Sequence, residues 1–360
     1  MIKKVITVIL LIAGFATAAN SQLPRKPLAA YLADSLWHFI DYSGKDLFPP
    51  MELIEVSSYS DGLFRALKKT EHGNKWVFIN GKGQIAFQPD CDIAGSFHQG
   101  RAIIISFTDK AKENPIYGYI DLSGKEVIDK QYDDATEFSE GLAYVMKKDK
   151  RGYIDTSGTL IFELLEDIIG YSFQNGIARI SNENYYFGYI DKTGRKIIDL
   201  TFEETSNFCP NLAPANDKNK MGYINKKGEF VLPAIWDDCR EFSEGLAFVG
   251  ANDDINRLMW SVIDTAGMKL TEYEFTNAID YSEGLAAVEK NLKWAFIDKN
   301  GFMPIDYTYD FAGKFKDGLS TAGIRSEKKF GFIDTSGKFV VILPENVKSI
   351  TDLRFNTKAF

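Results

Sequence analysis

A short phrase recurs nine times along this chain, and that repetition constrains the fold more than any other feature. An aromatic residue or valine is followed by isoleucine, then by aspartate or asparagine, and three positions later by glycine. The nine closing glycines are Gly44, Gly83, Gly124, Gly158, Gly194, Gly228, Gly267, Gly301 and Gly337. A second phrase, aromatic-Ser-Glu-Gly-Leu-Ala in its clearest copies at 138–143, 242–247 and 281–286, alternates with the first. This repetition predicts one quasi-continuous array, in place of the two or three domains that 360 residues alone would suggest.

The length of the repeat varies in only one segment. The interval from the glycine of the first phrase to the glycine (once asparagine) of the second is nearly constant, as from Gly124 to Gly141. The interval from there to the next unit differs between units, being short from Gly141 to Gly158 and longer from Gly100 to Gly124. Constant spacing is typical of packed backbone, and variable spacing is typical of a surface loop. The variable segment joins a Leu-Ala-x-Val strand to a Gly-Tyr-Ile-Asp strand, so we expect a hairpin loop between them.

Each unit has the pattern of β structure. In the fourth unit, residues 142–146, 152–155 and 159–162 are short aromatic or β-branched runs separated by turn residues. Asp155 and Gly158 predict a tight turn, because the carboxylate accepts local backbone N–H groups and the glycine adopts positive φ. We predict an all-β tandem array of antiparallel three-stranded units. An open, twisted solenoid is the first expectation and a closed β-propeller the alternative, because propeller blades typically have four strands and seldom number more than eight.

A small residue precedes the aromatic-Ile-Asp phrase in most units. These small residues are Gly118, Gly152, Gly188, Gly222, Ser261, Ala295 and Gly331. On a strand they lie on the face opposite the aromatic side chains. This arrangement predicts close approach by the neighbouring unit.

The combined pattern resembles the bacterial WG repeat. Aromatic-Gly-Tyr/Phe-Ile-Asp-x-x-Gly-Lys is followed by a short strand and by Tyr-Asp-x-Ala-x-x-Phe-Ser-Glu-Gly-Leu-Ala, and residues 132–138 and 236–242 carry the linking portion. The resemblance covers residues 36–343, although the Trp-Gly pair that names the family is never intact here. It implies a β-rich repeat array without common catalytic residues and with a binding role.

The N-terminal segment 1–21 is typical of a secretory signal peptide. Lys3 and Lys4 form a positive start, the apolar run 5–15 is too short to span a bilayer, and small residues extend to Ser21. We expect cleavage after Ser21, an N-terminal cap over 22–35, the array over 36–343 and a C-terminal cap or tail over 344–360. The product is expected to be periplasmic or extracellular, monomeric and without a transmembrane segment.

The sequence contains no recognisable catalytic or metal-binding pattern. The three histidines fall at unrelated positions of the repeat, which argues against a shared zinc site; they are His38, His72 and His98. The cysteines, which follow no metal-ligand spacing, are Cys91, Cys209 and Cys239. Cys239 takes a small-residue position, which predicts a small buried side chain. Cys209 lies nearly one repeat earlier, so a disulfide between the two stays open. We predict no enzyme activity, no cofactor and, for a mature chain of net charge −10 (40 basic and 50 acidic residues), no nucleic-acid partner.

Charge is distributed unevenly over the repeat. The variable loops sum to +7, which leaves −17 for the rest of the mature chain. Repeats stacked in register would align these loops along one edge, as a basic rim for an acidic protein or an envelope polysaccharide. The candidate rim residues are Lys147, Lys148, Lys150, Arg151, Lys328 and Lys329. Alternatively, the lysines only keep the array soluble and block edge pairing.

Two functions remain open from the sequence, and the exposure of the tryptophans separates them. The first is an exported, non-catalytic interaction scaffold, and the second is a carbohydrate-binding protein of the cell envelope that uses exposed aromatics or the basic rim. Buried rings at Trp37, Trp76, Trp260 and Trp294 would favour the scaffold. The recurring glutamate of the Ser-Glu-Gly phrase, at Glu140 and its equivalents, is expected to be a solvated turn residue.

Overall fold

The aromatic and β-branched runs form antiparallel strands in the computed structural model, which describes residues 26–351 apart from Lys110 and Lys112. Nine sheets follow one another along the chain, six with four named strands and three with three. They are the blades of a β-propeller, numbered here from the N-terminus, and their strands are called a to d in order from the centre outward. The all-β prediction and the tandem antiparallel units are confirmed.

The strand bounds show how regularly the chain fills the blades. Blade 1 begins with β1 (Pro27–Ala33) and β2 (Leu36–Asp41), blade 2 contains β3 (Glu55–Val56), β4 (Leu63–Thr70), β5 (Gly73–Asn80) and β6 (Ile85–Phe87), and blade 3 contains β7 (Ile93–Ala94), β8 (Arg101–Phe107), β9 (Pro115–Asp121) and β10 (Glu126–Tyr132). Blade 4 contains β11 (Asp134–Ala135), β12 (Leu142–Lys147), β13 (Lys150–Asp155) and β14 (Leu160–Leu164), and blade 5 contains β15 (Ile169–Gln174), β16 (Ile177–Ser181), β17 (Phe187–Asp191) and β18 (Lys196–Phe202).

The remaining blades repeat the same order. Blade 6 contains β19 (Ala213–Asp217), β20 (Lys220–Ile224) and β21 (Phe230–Trp236), and blade 7 contains β22 (Asp238–Cys239), β23 (Leu246–Asn252) and β24 (Leu258–Asp264). Blade 8 contains β25 (Asn277–Ser282), β26 (Leu285–Lys290), β27 (Lys293–Asp298) and β28 (Ile305–Tyr309), and blade 9 contains β29 (Phe311–Ala312), β30 (Leu319–Ile324), a 3₁₀ turn (Arg325–Glu327), β31 (Lys329–Asp334) and β32 (Phe339–Ile342). The last strand, β33 (Ser349–Thr351), returns to blade 1.

The unit has one strand more than the sequence predicted. The Tyr-Asp-x-Ala phrase forms the short strand a, as at Asp134–Ala135, which pairs with the end of strand b. In blades 1, 6 and 7, which have three named strands, isolated bridges stand in for the fourth, between Trp37 and Met51, between Thr205 and Ala215 and between Trp260 and Phe275. A two-residue strand between turn residues is too short to produce the alternating pattern from which strands are recognised.

The ring is closed by pairing between the two ends of the described chain. Strand β33 lies antiparallel to β1, with Ala30 opposite Thr351 and Leu32 opposite Ser349. Thr351 accepts the amide N–H of Ala30 at 2.9 Å and donates to its carbonyl at 3.1 Å. Side chains of blade 9 pack against blade 1 in one buried cluster that includes Phe332 and Val341.

This closure corrects one expectation. The arrangement is the closed propeller, which was the alternative, and not the open solenoid. The described parts of the segments 22–35 and 344–360 complete blade 1 together. The reason is that each sequence repeat begins at strand c and ends at strand b of the next blade. The described part of the chain therefore starts with a strand b that lacks its strand a and ends with a strand a that lacks its strand b.

The small-residue position has a different neighbour from the predicted one. A Cβ atom added to Gly188 would lie 2.5 Å from the carbonyl oxygen of Ile198, in strand d of the same blade. A Cβ atom added to Gly118 or to Gly222 would lie 2.7 Å from backbone atoms of strand d in the same blade. The close approach is therefore real, but it occurs within a blade, where a bulge brings strand d onto strand c.

Candidate binding face

The recurring aspartates and asparagines form turns between strands c and d. Asp155 Oδ1 accepts the backbone N–H of Ser157 at 2.8 Å and of Thr159 at 3.0 Å, and Gly158 has φ of 87°. The same pair of bonds occurs at Asp41, Asn80, Asp121, Asp191, Asn225, Asp264, Asp298 and Asp334. The predicted turns are confirmed, and these side chains bind the backbone N–H groups of their own turns.

The turn between strands a and b connects neighbouring blades. Glu244 accepts the N–H of Glu283 at 2.7 Å and of Gly284 at 3.0 Å in the next blade, and Glu283 accepts the N–H of Gly318 at 2.8 Å in the one after. Glu140 accepts the N–H of Gly176 at 3.0 Å in the same way. The expectation of solvated turn residues is therefore only half right, because these exposed or half-buried carboxylates also link consecutive blades.

The tryptophans are packing residues. Trp37, Trp76, Trp260 and Trp294 are between 4% and 9% exposed, so none of them presents a ring on which a sugar could stack. Arginines cover some of these rings: the guanidinium of Arg65 lies 4.5 Å from the centroid of Trp76. The same arginine donates to the carbonyl of Ala94 in the next blade at 2.8 Å. These arginines could not be identified from the sequence, because they do not recur in every unit.

The variable b–c loops lie on one face of the propeller, as predicted, but they share it with acidic segments. Because strands alternate in direction, the crossover from strand d to the next strand a runs along the same face as the b–c loop. We call this side the loop face. The aspartate of the Tyr-Asp-x-Ala phrase sits in that crossover and accepts a backbone N–H of the b–c loop: Asp237 accepts from Asn252 at 3.0 Å, and Asp310 accepts from Arg325 at 2.6 Å.

Several lysines of the loop face are paired with acids of these crossovers. Lys220 lies 2.7 Å from Asp237, Lys293 lies 2.8 Å from Asp310, and Lys290 lies 2.6 Å from Glu274. Exposed pairs of this kind contribute little to stability. They do, however, neutralise the rim. The sequence contained the signal, since this aspartate recurs, but only the fold shows that it faces the loop.

Blade 4 differs from the other blades in this respect. Lys147 donates to the uncharged side chain of Gln131 at 2.8 Å, and in the described part of the chain Lys148, Lys150 and Arg151 form no ion pair. Nε and Nη1 of Arg151 are buried without a hydrogen-bond partner among the described residues. Lys147, Lys150 and Arg151 line a cavity of about 210 Å³ together with Glu163. This group is the largest uncompensated positive charge among the predicted rim residues.

The two predicted rim residues of blade 9 do not join this group. Lys328 lies 3.2 Å from Glu345, and Lys329 lies 4.0 Å from Glu327 and 4.6 Å from the ring centroid of Phe339. Blades 9 and 4 are separated by three blades on one side of the ring and by four on the other. The six predicted residues therefore occupy two separate places on the loop face, and only the blade 4 group is uncompensated.

The cysteines are free thiols. Cys239 is buried in its small-residue position, as predicted, and burial raises the pKa of its thiol. Cys209 is half-buried, and burial and the neighbouring Glu241 raise the pKa of its thiol to about 12. Within the described residues, no group of three or more His, Cys, Asp or Glu side chains is arranged to hold a metal ion.

The crossover acids predict a dependence of stability on pH. Hydrogen bonds from Lys220 and from the N–H of Asn252 hold the pKa of Asp237 below its ordinary value. A carboxylate with a lowered folded-state pKa stabilises the fold above its unfolded pKa of about 3.9, and that contribution is lost as pH falls through the folded pKa. We expect Asp237→Asn to lower Tm at neutral pH, to begin to converge with the wild type below about pH 4, and to match it only below the lowered pKa of Asp237. A Tm difference that stays constant on acidification would contradict this account.

Comparison with known proteins agrees with the fold. A crystal structure of the eukaryotic initiation factor aligns with a TM-score of 0.64 over 91% of this chain and 98% of that chain, at 11% identity. Dipeptidyl peptidase 4 of Porphyromonas gingivalis aligns with a TM-score of 0.46 over 81% of this chain and 59% of its own, at 11% identity, and BamB of Moraxella catarrhalis with 0.42 over 77% and 89%, at 10% identity. The similarity to the initiation factor shows a shared fold alone. No curated protein sequence matches the chain significantly.

The family is shown by the repeat itself. The model of the WG containing repeat matches six consecutive segments, at 76–105, 117–150, 152–186, 187–220, 221–253 and 260–294. Together these segments cover more than half of the chain, and each begins near a strand c and ends near the strand b or b–c loop of the next blade. The described residues contain no helix with the length and apolarity of a membrane span. The chain belongs to the family of WG repeat proteins.

Proposed function

We propose that this protein is an exported, non-catalytic interaction scaffold that binds an acidic partner through its loop face. The observation that carries the proposal is the uncompensated positive group of blade 4, at Lys147, Lys148, Lys150 and Arg151. Acids pair with lysines of blades 6, 8 and 9 on this rim, whereas the four cations of blade 4 form no ion pair with a described residue.

The rest of the repeat supports a scaffold because its recurring side chains are used to hold the blades together. The Asx turns bind backbone, the carboxylates of the a–b turns bind the next blade, and the tryptophans are buried. The b–c loops vary in length without disturbing these contacts. Variable loops on a rigid repeat are a common place for partner recognition.

The partner class follows from charge. The orphaned nitrogens of Arg151 favour a carboxylate, sulfate or phosphate group, and Lys147 and Lys150 add positive potential at the mouth of the same cavity. An acidic polysaccharide and an acidic protein surface both present such groups. Stacking of a sugar on the tryptophans is disfavoured by their burial. Export rests on the signal-peptide pattern of residues 1–21, which lie outside the described residues.

The test is binding of a defined polyanion, polygalacturonate, to the mature chain at low and high salt. The variant Lys147→Gln/Lys148→Gln/Lys150→Gln removes three charges from blade 4. Three exposed charges at about 0.5 kcal/mol each predict about tenfold weaker binding.

The matched control removes the same number of charges from paired positions, as Lys220→Gln/Lys290→Gln/Lys293→Gln. We expect this control to bind polygalacturonate like the wild type, because its lysines already have acidic partners. If both triple variants weakened binding equally, the effect would come from net charge alone and not from a site in blade 4. If the blade 4 variant bound polygalacturonate like the wild type, blade 4 would not be the binding site.

A further inference from the structure

A second site lies on the inner wall of the ring, away from the cations of blade 4. A cavity of about 750 Å³ is bounded by strands a of blades 1 and 2 and by the segment that follows strand a in blade 3. Its size falls within the range of small-molecule sites in proteins, about 300–1,000 Å³. We call it the channel pocket.

A residue that lines the channel pocket has a buried donor that the fold leaves unused. Trp37, which lines the pocket, is 4% exposed, and its indole Nε1 has no hydrogen-bond partner in the part of the chain that the structure describes. The equivalent tryptophan of blade 2 shows the ordinary arrangement, since Trp76 Nε1 donates to the carbonyl of Asp92 at 3.0 Å. Burying an unpaired donor costs about 1–3 kcal/mol, so an acceptor on a ligand would relieve that cost.

Hydroxyl groups line the same pocket. Ser58, Ser96 and Ser349 line the pocket from three different blades, are half-buried, and have side chains that form no hydrogen bond with the described residues. Each hydroxyl can both donate and accept. Leu32, Ile54 and Ile350 add apolar surface to the same wall. The pocket thus offers hydrogen bonds of both kinds next to an apolar surface.

The charged residues of the pocket are already paired. Glu55 lies 2.7 Å from Arg65, and His98 lies 3.1 Å from Glu137. A charged ligand would therefore find no free counter-ion in the described lining, whereas a neutral one loses nothing by this pairing. Many hydroxyls, an apolar face and no net charge are the properties of a sugar.

We propose that the channel pocket binds a neutral sugar or short glycan, with the Trp37 N–H donating to a sugar oxygen. This site is separate from the blade 4 group and does not depend on the function proposed for that group.

The experiment measures the binding of neutral di- and trisaccharides of glucose, galactose, mannose and N-acetylglucosamine to the mature full-length chain by titration calorimetry. Binding of at least one of them is expected. Trp37→Phe keeps a ring in place and removes the N–H, and we expect it to weaken that binding about three- to tenfold, the effect of one hydrogen bond. Ser96→Val is also expected to weaken sugar binding.

Trp76→Phe is the matched control, because it removes an indole N–H that bonds to Asp92 and that does not line the pocket. It should lower Tm and leave sugar affinity unchanged. Failure of every sugar to bind the wild type would overturn the proposal, as would equal weakening by the two tryptophan variants. Polygalacturonate binding through blade 4 is measured separately, so either proposal can fail alone.

Discussion

Replacing Thr351 by valine is expected to destabilise the whole ring, although the substitution removes a single hydroxyl from a short closing strand. That hydroxyl accepts the N–H of Ala30 and donates to its carbonyl, across the junction between the two ends of the chain. Valine has nearly the same shape but leaves both backbone groups of Ala30 without this partner in a buried setting. An intramolecular hydrogen bond contributes about 0.5–1.5 kcal/mol, so the loss of both bonds is expected to cost about 1–3 kcal/mol.

Thr321→Val is the matched control for this prediction. Thr321 is also buried, in strand b of the adjoining blade 9, but its hydroxyl has no hydrogen-bond partner among the described residues. The same substitution should therefore be neutral or stabilising there. Thermal unfolding of the two variants beside the wild type gives the result, and equal Tm values for Thr351→Val and Thr321→Val would show that the closing hydroxyl contributes nothing.

The second large effect is expected from Gly188→Ala. In the interior of a strand this substitution usually stabilises, because alanine reduces the freedom of the unfolded chain. Here the new Cβ would lie 2.5 Å from the carbonyl oxygen of Ile198 and 2.8 Å from the backbone of Asp199. Strand d would have to move away from strand c, and overpacking of this kind costs about 1–3 kcal/mol or more.

Gly95→Ala separates this clash from any general effect of alanine. A Cβ at Gly95 meets its nearest neighbour, Ile103, at 3.6 Å, which is ordinary van der Waals contact. We expect that variant to keep or slightly raise the Tm, by the effect of about 0.4–1 kcal/mol on the unfolded chain. If Gly188→Ala raised the Tm as well, the bulge of strand d would be more adaptable than its contacts indicate.

The turns illustrate what could be predicted from the sequence. Asp155 and Gly158 belong to the same tight turn, and the carboxylate bonds only to nearby backbone and side chains, so the local pattern contains the whole interaction. Cys239 was assigned to a buried position for a similar reason, because the other units provided copies of that position for comparison. Local or repeated information was sufficient in both cases.

The charge of the loop face could not be predicted from local or repeated patterns. Lys220 and Asp237 belong to different sequence repeats, yet they lie 2.7 Å apart on one face. Summing the charges of the loops alone predicted a basic rim all around the array. The crossover acids interrupt that rim by pairing with lysines of blades 6 and 8, and the unpaired donor of Trp37 had no signal in the sequence.

The sequence by itself determined the repeat, its strands and turns, its buried aromatic positions and the place of its variable loops, because each depends on residues close together in one unit. The tertiary structure decided the closure into nine blades. A repeat that starts at strand c leaves an incomplete blade at each end of the array, and whether those ends meet depends on the accumulated rotation of all the units. Only the pairing of β1 with β33, between the two ends of the described chain, fixes the answer.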